Sequence, residues 1–448
     1  MSTQTTPGAP VVDWNAVLEE STELLRDYIR IDTTNPPGGE EAGAIFLRDV
    51  FQREGIACKL YDAGNSRVSL SARLPGSGGA ANKPLVLLSH IDVVPVEQEH
   101  WKRGAFSGDL VDDVIWGRGA LDMKGMGIME MMTMLVMHRH KLNPDRDIVM
   151  VAVADEEEGG VHGVHHLMAK HPEILNNEWT FNEGAYGFSE FMGKKSKIMG
   201  ISPSEKSPCW LRLRAKGLPG HASVPHSQNA LAHLVRAIAR VEEQQRQVEL
   251  TPAVEAMLRS MMAKGFLPSD LDPTDHETLE TLGTLDAHLR AITHDTVSMT
   301  SINAGSKINV IPASAEATLD CRLLPTTNPD QFVREMTELI DDSTVEIVRV
   351  YEHVAGASSL DSPVLAVAET VVKERLGDDT ILMPLLTPGF TDSHAFRAAG
   401  GQAYGFTPAM LTREELSSIH GHNERISRTN LSLGNEILFE TVRRLTHA

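Results

Sequence analysis

Cysteine is scarce in this sequence: Cys58, Cys209 and Cys321 are the three in 448 residues. They are odd in number, far apart along the chain and without CxxC spacing, which excludes a disulfide framework. We expect buried free thiols and a reducing, cytoplasmic setting. Positive charge is also short, since 41 Lys and Arg stand against 61 Asp and Glu and leave a net charge of −20. A chain of that sign repels phosphate backbones and anionic lipid, so neither nucleic acid nor membrane is an expected partner. No apolar run approaches the ~18 residues of a membrane span. The polar, Pro- and Gly-containing stretch 1–12 has no basic region followed by an apolar core. It reads as a short disordered arm rather than a signal peptide.

Several catalytic signatures are missing as well. There is no GxSxG nucleophile elbow and no HExxH helix. Gly117-Arg-Gly119 begins like a dinucleotide fingerprint, but Asp122 stands where the third Gly belongs. The stretch 187–194 is one residue too long for a phosphate loop and is followed by Lys195, where Ser or Thr is needed. What remains is an ordinary globular composition, 41% hydrophobic and 23% charged. The length suggests two or three domains.

The chain is organised around the stretch 84–160. An apolar run, Pro84-Leu-Val-Leu-Leu-Ser89, drops into His90-Ile-Asp92, and Trp116-Gly-Arg-Gly-Ala-Leu-Asp122-Met-Lys-Gly125 follows. A second apolar run, 148–154, ends in Asp155-Glu-Glu-Glu158-Gly-Gly160, and a short one at 179–181 ends in Asn182-Glu183-Gly184. Short apolar runs bounded by polar residues read as buried strands of a sheet covered on both faces. Open α/β sheets place ligand sites outside the carboxyl ends of such strands, where these acids and this imidazole fall. One imidazole with several carboxylates suits a cation such as zinc better than calcium or magnesium. Crowded carboxylates also need a cation to offset their mutual repulsion.

Around this stretch the periodicities predict helices at 13–29, capped by Asp13, and at 40–54, closed by Gly55. Strands are expected at 57–61 and 68–74, and a buried Met-rich helix at 123–140, its Met side chains acting as adaptable filler. A helix is expected at 164–170. After about Ser202 the texture changes to strand (210–215), helix (230–244), strand (296–304), strand (309–322), helix (329–341) and strand (344–350). That order makes a small sheet with helices on one face, an α+β module, and α/β texture resumes from Val354. We therefore expect an inserted domain at 204–353 within a larger one formed by 1–203 and 354–448. The acidic stretch 249–294 reads only as a helical connection.

Other candidate groups lie further along. His162 with His165 or His166 could share one helical face. Gly389-Phe-Thr-Asp392-Ser-His394 is a Gly-containing polar turn, and His420-Gly-His422-Asn-Glu424 is a dense polar loop that suits a metal ligand.

With those residues in view, the chain resembles the dinuclear-zinc aminoacylase, carboxypeptidase and deacetylase family. That family includes glutamate carboxypeptidase, acetylornithine deacetylase and succinyl-diaminopimelate desuccinylase. The likeness runs from Asp32-Thr-Thr-Asn-Pro-Pro-Gly38 to His420-Gly-His-Asn-Glu-Arg425. It implies a zinc-exopeptidase-like catalytic domain, a mixed sheet flanked by helices, with an inserted ferredoxin-like domain serving as lid and dimer interface. By the same resemblance two zinc ions, or cobalt or manganese in their place, would be held by His90, Asp122, Glu157, Glu183 and His420, with Asp122 as the bridge. Asp92 would orient His90, Glu156 would be the general base, and His221 would steady the oxyanion, from the partner subunit in dimeric relatives. Asn309 and Arg322 would hold a substrate carboxylate, with Gly389 and His394 also counted among the substrate-binding groups. The chain carries His394 where relatives often carry Arg.

The implied reaction is hydrolysis of an amide next to a free amino-acid carboxylate, of carboxypeptidase or dipeptidase type. An aminoacylase acting on N-acyl amino acids would use the same centre, and a homodimer is expected through the inserted domain. A metal-dependent binding protein is the rival of another class. Glu156 speaks against it, because a binder needs no base beside the metal.

Overall fold

The computed structural model describes residues 10–447. Residues 1–9, most of the expected N-terminal arm, lie outside the described residues. The helix Trp14–Ile29 starts at Asp13, whose carboxylate accepts from the Asn15 and Ala16 amides at 3.1 and 3.2 Å. Those amides belong to the first turn, which has no intrahelical acceptor for them. The Met-rich helix Lys124–Arg139 is buried all round from Lys124 to Met137, as its mainly apolar sequence requires, although Lys124, Glu130 and Thr133 are buried with it.

The chain folds into two compact units. One reaches Pro203 and resumes over Ser358–Leu385 and from Thr391, and the other comprises Ser204–Ala357 and Leu386–Phe390. The larger unit is built on a mixed sheet. Its strands run in the spatial order Ala57–Asp62, Val68–Leu74, Ile148–Val153, Leu85–His90, Trp179–Asn182 and Gln402–Gly405, then Lys194–Glu205, Gly187–Phe191 and Met410–Leu411. Three central strands are parallel neighbours, with His90 opposite Val153 and Leu87 opposite Phe181. Every residue of Leu85–His90 and Ile148–Val153 is buried, which is why their sequences read as unbroken apolar runs rather than alternations. Their carboxyl ends therefore open side by side, and the residues just past them share one crevice.

A separate three-stranded ribbon joins distant parts of the same unit. Arg425–Ser427 pairs with Val114–Trp116, which pairs with Asp109–Val111. This pairing sets the loop before Arg425 beside the loop after Trp116.

The smaller unit holds an antiparallel sheet in the order Thr296–Ala304, Ser314–Leu323, Ser207–Lys216, Val345–Glu352. Along Ser207–Lys216, Leu211, Leu213 and Ala215 face inward against Leu234 and Ala237 of the helix Ala230–Glu243 and Phe332 and Met336 of the helix Pro329–Ile340. The acidic connection resolves into three helices, Pro252–Ala263, His276–Leu285 and Ala287–Thr293.

Two local readings of the sequence need correction, and one rejected decoy resolves into a hairpin. The strand expected at 309–322 is broken into Val310–Ile311 and Ser314–Leu323, because Pro312 has no N–H to give to a ladder. The phosphate-loop decoy at 187–194 is a hairpin between Gly187–Phe191 and Lys194–Glu205. Its turn residues Met192 and Gly193 have φ of 48° and 73°, the paired positive values that tight hairpins require. Of the three free thiols, Cys209 and Cys321 are buried but Cys58 is half-exposed. No described helix is long and apolar enough to cross a membrane.

Candidate metal centre

Five of the expected ligands converge in the larger unit. His90 ends one central strand, Asp155, Glu156 and Glu157 follow the next, and Glu183 follows the third. Asp155 and Gly160 take left-handed backbone, with φ of 69° and 72°, and so reverse the chain just past the strand. The remaining two ligands come from the loops that the ribbon brings together, Asp122 after Trp116 and His420 before Arg425.

The Asp122 carboxylate is divided between two imidazoles. Its Oδ1 lies 3.1 Å from His90 Nε2, and its Oδ2 lies 3.0 Å from His420 Nε2. Glu183 stands on the first side, with Oε1 3.6 Å from His90 Nε2. Glu157 stands on the second, with Oε2 3.2 Å from His420 Nε2. Two sets of donors result, His90–Asp122–Glu183 and Asp122–Glu157–His420, each with its ligand atoms within 4.8 Å of one another. Each set offers one nitrogen and two carboxylates, the donor mixture that suits zinc-like cations.

The electrostatics have the form of a centre that needs positive charge. Burial, then the neighbouring Glu183, pushes the Glu156 carboxyl well above its ordinary range. Burial, then Asp122, pushes Glu183 well above that range too and raises Glu157. Asp122 is held low against the cost of its burial by its bonds to His420 and His90. His420 is pushed up to about 10, first by Asp122 and then by Glu157. Glu157 Oε1 is buried with no hydrogen-bond partner among the described residues, an arrangement costly for a carboxylate unless a cation or proton meets it.

Asp92 acts mainly on the backbone. Its two carboxylate oxygens accept the Glu156 and Glu157 amides, each at 3.1 Å, and Oδ2 also accepts Asn35 Nδ2 at 2.8 Å. His90 Nδ1 lies 3.0 Å from the Asp92 carbonyl oxygen and 3.6 Å from its carboxylate. Glu156 belongs to neither donor set. Glu158 is exposed and also outside both.

His394 is buried, with Nδ1 3.0 Å from the Thr391 carbonyl oxygen and its ring 5.2 Å from that of His165. Burial pushes its imidazole down to about 4, so it is neutral at physiological pH and lacks the fixed charge of an Arg. His162 joins neither set.

The other expected site residues lie in the smaller unit. His221 and Val310 face each other across a two-stranded ladder, and the Asn309 carbonyl oxygen accepts the Ala222 amide at 3.1 Å. Those two candidates are thus neighbours, and the exposed His221 has Nδ1 2.6 Å from Ser223 Oγ. Arg322 donates from Nε and Nη2 to Asp320 at 2.6 and 2.9 Å, and its guanidinium lies 4.8 Å from the Phe390 ring centroid. The Gly389 carbonyl oxygen accepts the Lys206 amide at 3.2 Å.

Sequence reasoning missed a buried pair behind the centre. Arg118 donates to Glu424 at 2.7 Å, and Glu424 also accepts the Leu121 and Asp122 amides at 2.8 and 3.0 Å. In the sequence Arg118 is visible only as the middle of a failed dinucleotide fingerprint. The available signal was the recurrence of an Arg and a Glu within the very loops that carry Asp122 and His420.

Comparison with known proteins identifies the family. The chain is 30% identical over 374 residues to N-fatty-acyl-amino acid synthase/hydrolase PM20D1 of Xenopus tropicalis, covering 78% of this chain and 70% of that one. It is 28% identical over 420 residues to aminoacylase-1 of Sus scrofa, covering 91% and 90%. The fold is that of the M20 family metallo-carboxypeptidase Sso-CP2 of Sulfolobus solfataricus, with a TM-score of 0.75 at 19% identity over 96% of this chain and 100% of that one. Peptidase family M20/M25/M40 matches residues 86–444. The chain belongs to that family and is a metal-dependent hydrolase of its peptidase and aminoacylase type.

Proposed function

We propose that the chain hydrolyses the amide of N-acyl amino acids, at a dinuclear centre formed by His90, Asp122, Glu157, Glu183 and His420. The observation that carries this reading is the Asp122 carboxylate shared between two imidazole–carboxylate sets. Zinc is the expected metal, and cobalt or manganese suits the same donors. Two bound ions would supply Lewis acidity to the scissile carbonyl and to the attacking water.

The chain's own groups do the rest. Glu156 lies among Glu183, His90 and Glu157 without joining either donor set. Its carboxylate takes the proton of the attacking water and delivers it to the leaving amine. Asp92 fixes the Glu156 and Glu157 backbone through the two amides it accepts. His221 donates where negative charge develops on the carbonyl oxygen. Asn309 and Arg322 grip the free carboxylate, Arg322 with the guanidinium N–H groups that Asp320 does not take. Gly389 and His394 are further substrate-binding candidates.

Residues 1–203 and 354–448 act as the catalytic domain, and 204–353 as its lid and the contact of a cytoplasmic homodimer. The names of the sequence relatives favour N-acyl amino acids. The carboxypeptidase or dipeptidase reading differs only in the acyl side of the bond.

The test is a panel of N-acetyl and long-chain N-acyl amino acids and dipeptides, each with a free and an amidated carboxyl group. Release of the free amino acid is expected, with amidation weakening transition-state binding by about 2–5 kcal/mol as a buried charge partner is lost. Equal turnover of the amidated compounds would refute carboxylate recognition. No hydrolysis of any member would refute the reading.

A further inference from the structure

We infer that the buried Arg118–Glu424 pair is a positioning device that sets His420 against Asp122 and so completes the second donor set; the inference rests on the metal reading above. Arg118 is 2% exposed and Glu424 is fully buried, yet neither belongs to a donor set. Their hydrogen bonds run to the backbone of both ligand loops. Glu424 Oε1 accepts the amides of Leu121 and Asp122 itself at 2.8 and 3.0 Å, and its Oε2 accepts Arg118 Nη1 at 2.7 Å. Arg118 Nη2 donates to the Gly421 carbonyl, the residue after His420, at 2.9 Å, and to the Pro95 carbonyl at 3.5 Å. The Glu424 carbonyl accepts the Gly117 amide at 2.9 Å. One carboxylate and one guanidinium thus tie the peptide of Asp122 to the peptide beside His420.

The need for such a tie is specific to His420. Its side chain is 54% exposed, whereas that of His90 is 2% exposed and is fixed by the packing around its strand. His420 also sits in left-handed backbone, with φ of 56°, so core packing does not set its direction. The loop is held through its backbone instead, by Arg118 on one side and by Asn423, whose Oδ1 accepts the Lys102 amide at 2.7 Å, on the other. Trp101 shields the guanidinium, its ring centroid 5.2 Å away. Buried ion pairs contribute little net stability relative to apolar replacements, while partners behind metal ligands govern ligand orientation and affinity. The pair therefore acts through the backbone of the His420 loop, which it ties to that of Asp122, and touches neither metal nor substrate.

The experiment titrates Zn²⁺, and Co²⁺ as a spectroscopic probe, into metal-free wild type, Arg118→Lys, Glu424→Gln and His420→Ala. Thermal unfolding of each metal-free chain is followed in parallel. For Arg118→Lys we expect one ion at wild-type affinity and the other weakened ~10–100-fold, with loss of the same Co²⁺ absorption bands that His420→Ala removes. Glu424→Gln keeps the side-chain shape and should show the same split, which covers the case of an Arg118→Lys chain that does not fold. A lowered Tm with both affinities unchanged would show a merely structural pair and overturn the inference. Equal weakening of both ions would overturn it too. Fewer than two ions on the wild-type chain would instead refute the metal reading itself, and this inference with it.

Discussion

Glu156→Gln should lower kcat by about 10²–10⁴-fold while the metal content of the chain stays that of wild type. The separation of the two effects follows from where the side chain stands. Glu156 is outside both donor sets, so the amide of Gln removes no proposed ligand, but it cannot accept the proton of the attacking water. The backbone that carries Glu157 is held by Asp92 and is untouched by the change. Steady-state kinetics together with metal analysis of the same preparation checks both halves. Undiminished kcat would remove Glu156 from the role of base. Loss of metal together with kcat would make it a ligand instead.

Asp122→Asn should have the opposite signature, loss of metal first and of turnover as its consequence. Asp122 is the residue shared by the two donor sets, each of its carboxylate oxygens facing a different imidazole. An amide cannot offer two anionic oxygens, so both ions should bind more weakly, by more than the ~10–100-fold that outer partners control. Activity should return only partly at high added metal. The metal-free chain should suffer as well, because His90 and His420 are pushed up chiefly by Asp122 among their favourable partners. Equilibrium dialysis of the variant against zinc measures the first effect. Two ions retained at wild-type affinity would contradict a shared ligand.

How far this centre could be read beforehand depends on the element. His90, Glu157 and Glu183 were legible because each follows a buried strand whose apolar run is visible in one dimension. The larger sheet beyond them was harder. The hairpin Gly187–Phe191 with Lys194–Glu205 turns at Met192-Gly193 and has no clean alternation over its tip, where Lys194 and Lys195 begin the second strand. The break at Pro312 was legible in principle, since a ladder position without an N–H is a local rule. The pairing of Arg118 with Glu424 was not, because the bond between them spans 306 residues of chain and no periodicity relates the two loops. The pairing of Arg425–Ser427 with Val114–Trp116 creates that proximity. The neighbourhood of His221 and Asn309 has the same origin, a two-stranded ladder between distant segments. Local chemistry and the family resemblance thus named the candidate ligands, and tertiary pairing brings Arg118 and Glu424 beside two of them.

The most direct measurement is metal content per chain, taken with the rate of N-acyl amino acid hydrolysis before chelation, after it, and after zinc is returned. Close to two ions per chain, activity lost with the metal and restored with it, is the expected result. Full activity in a chain stripped of metal would contradict the account at its centre.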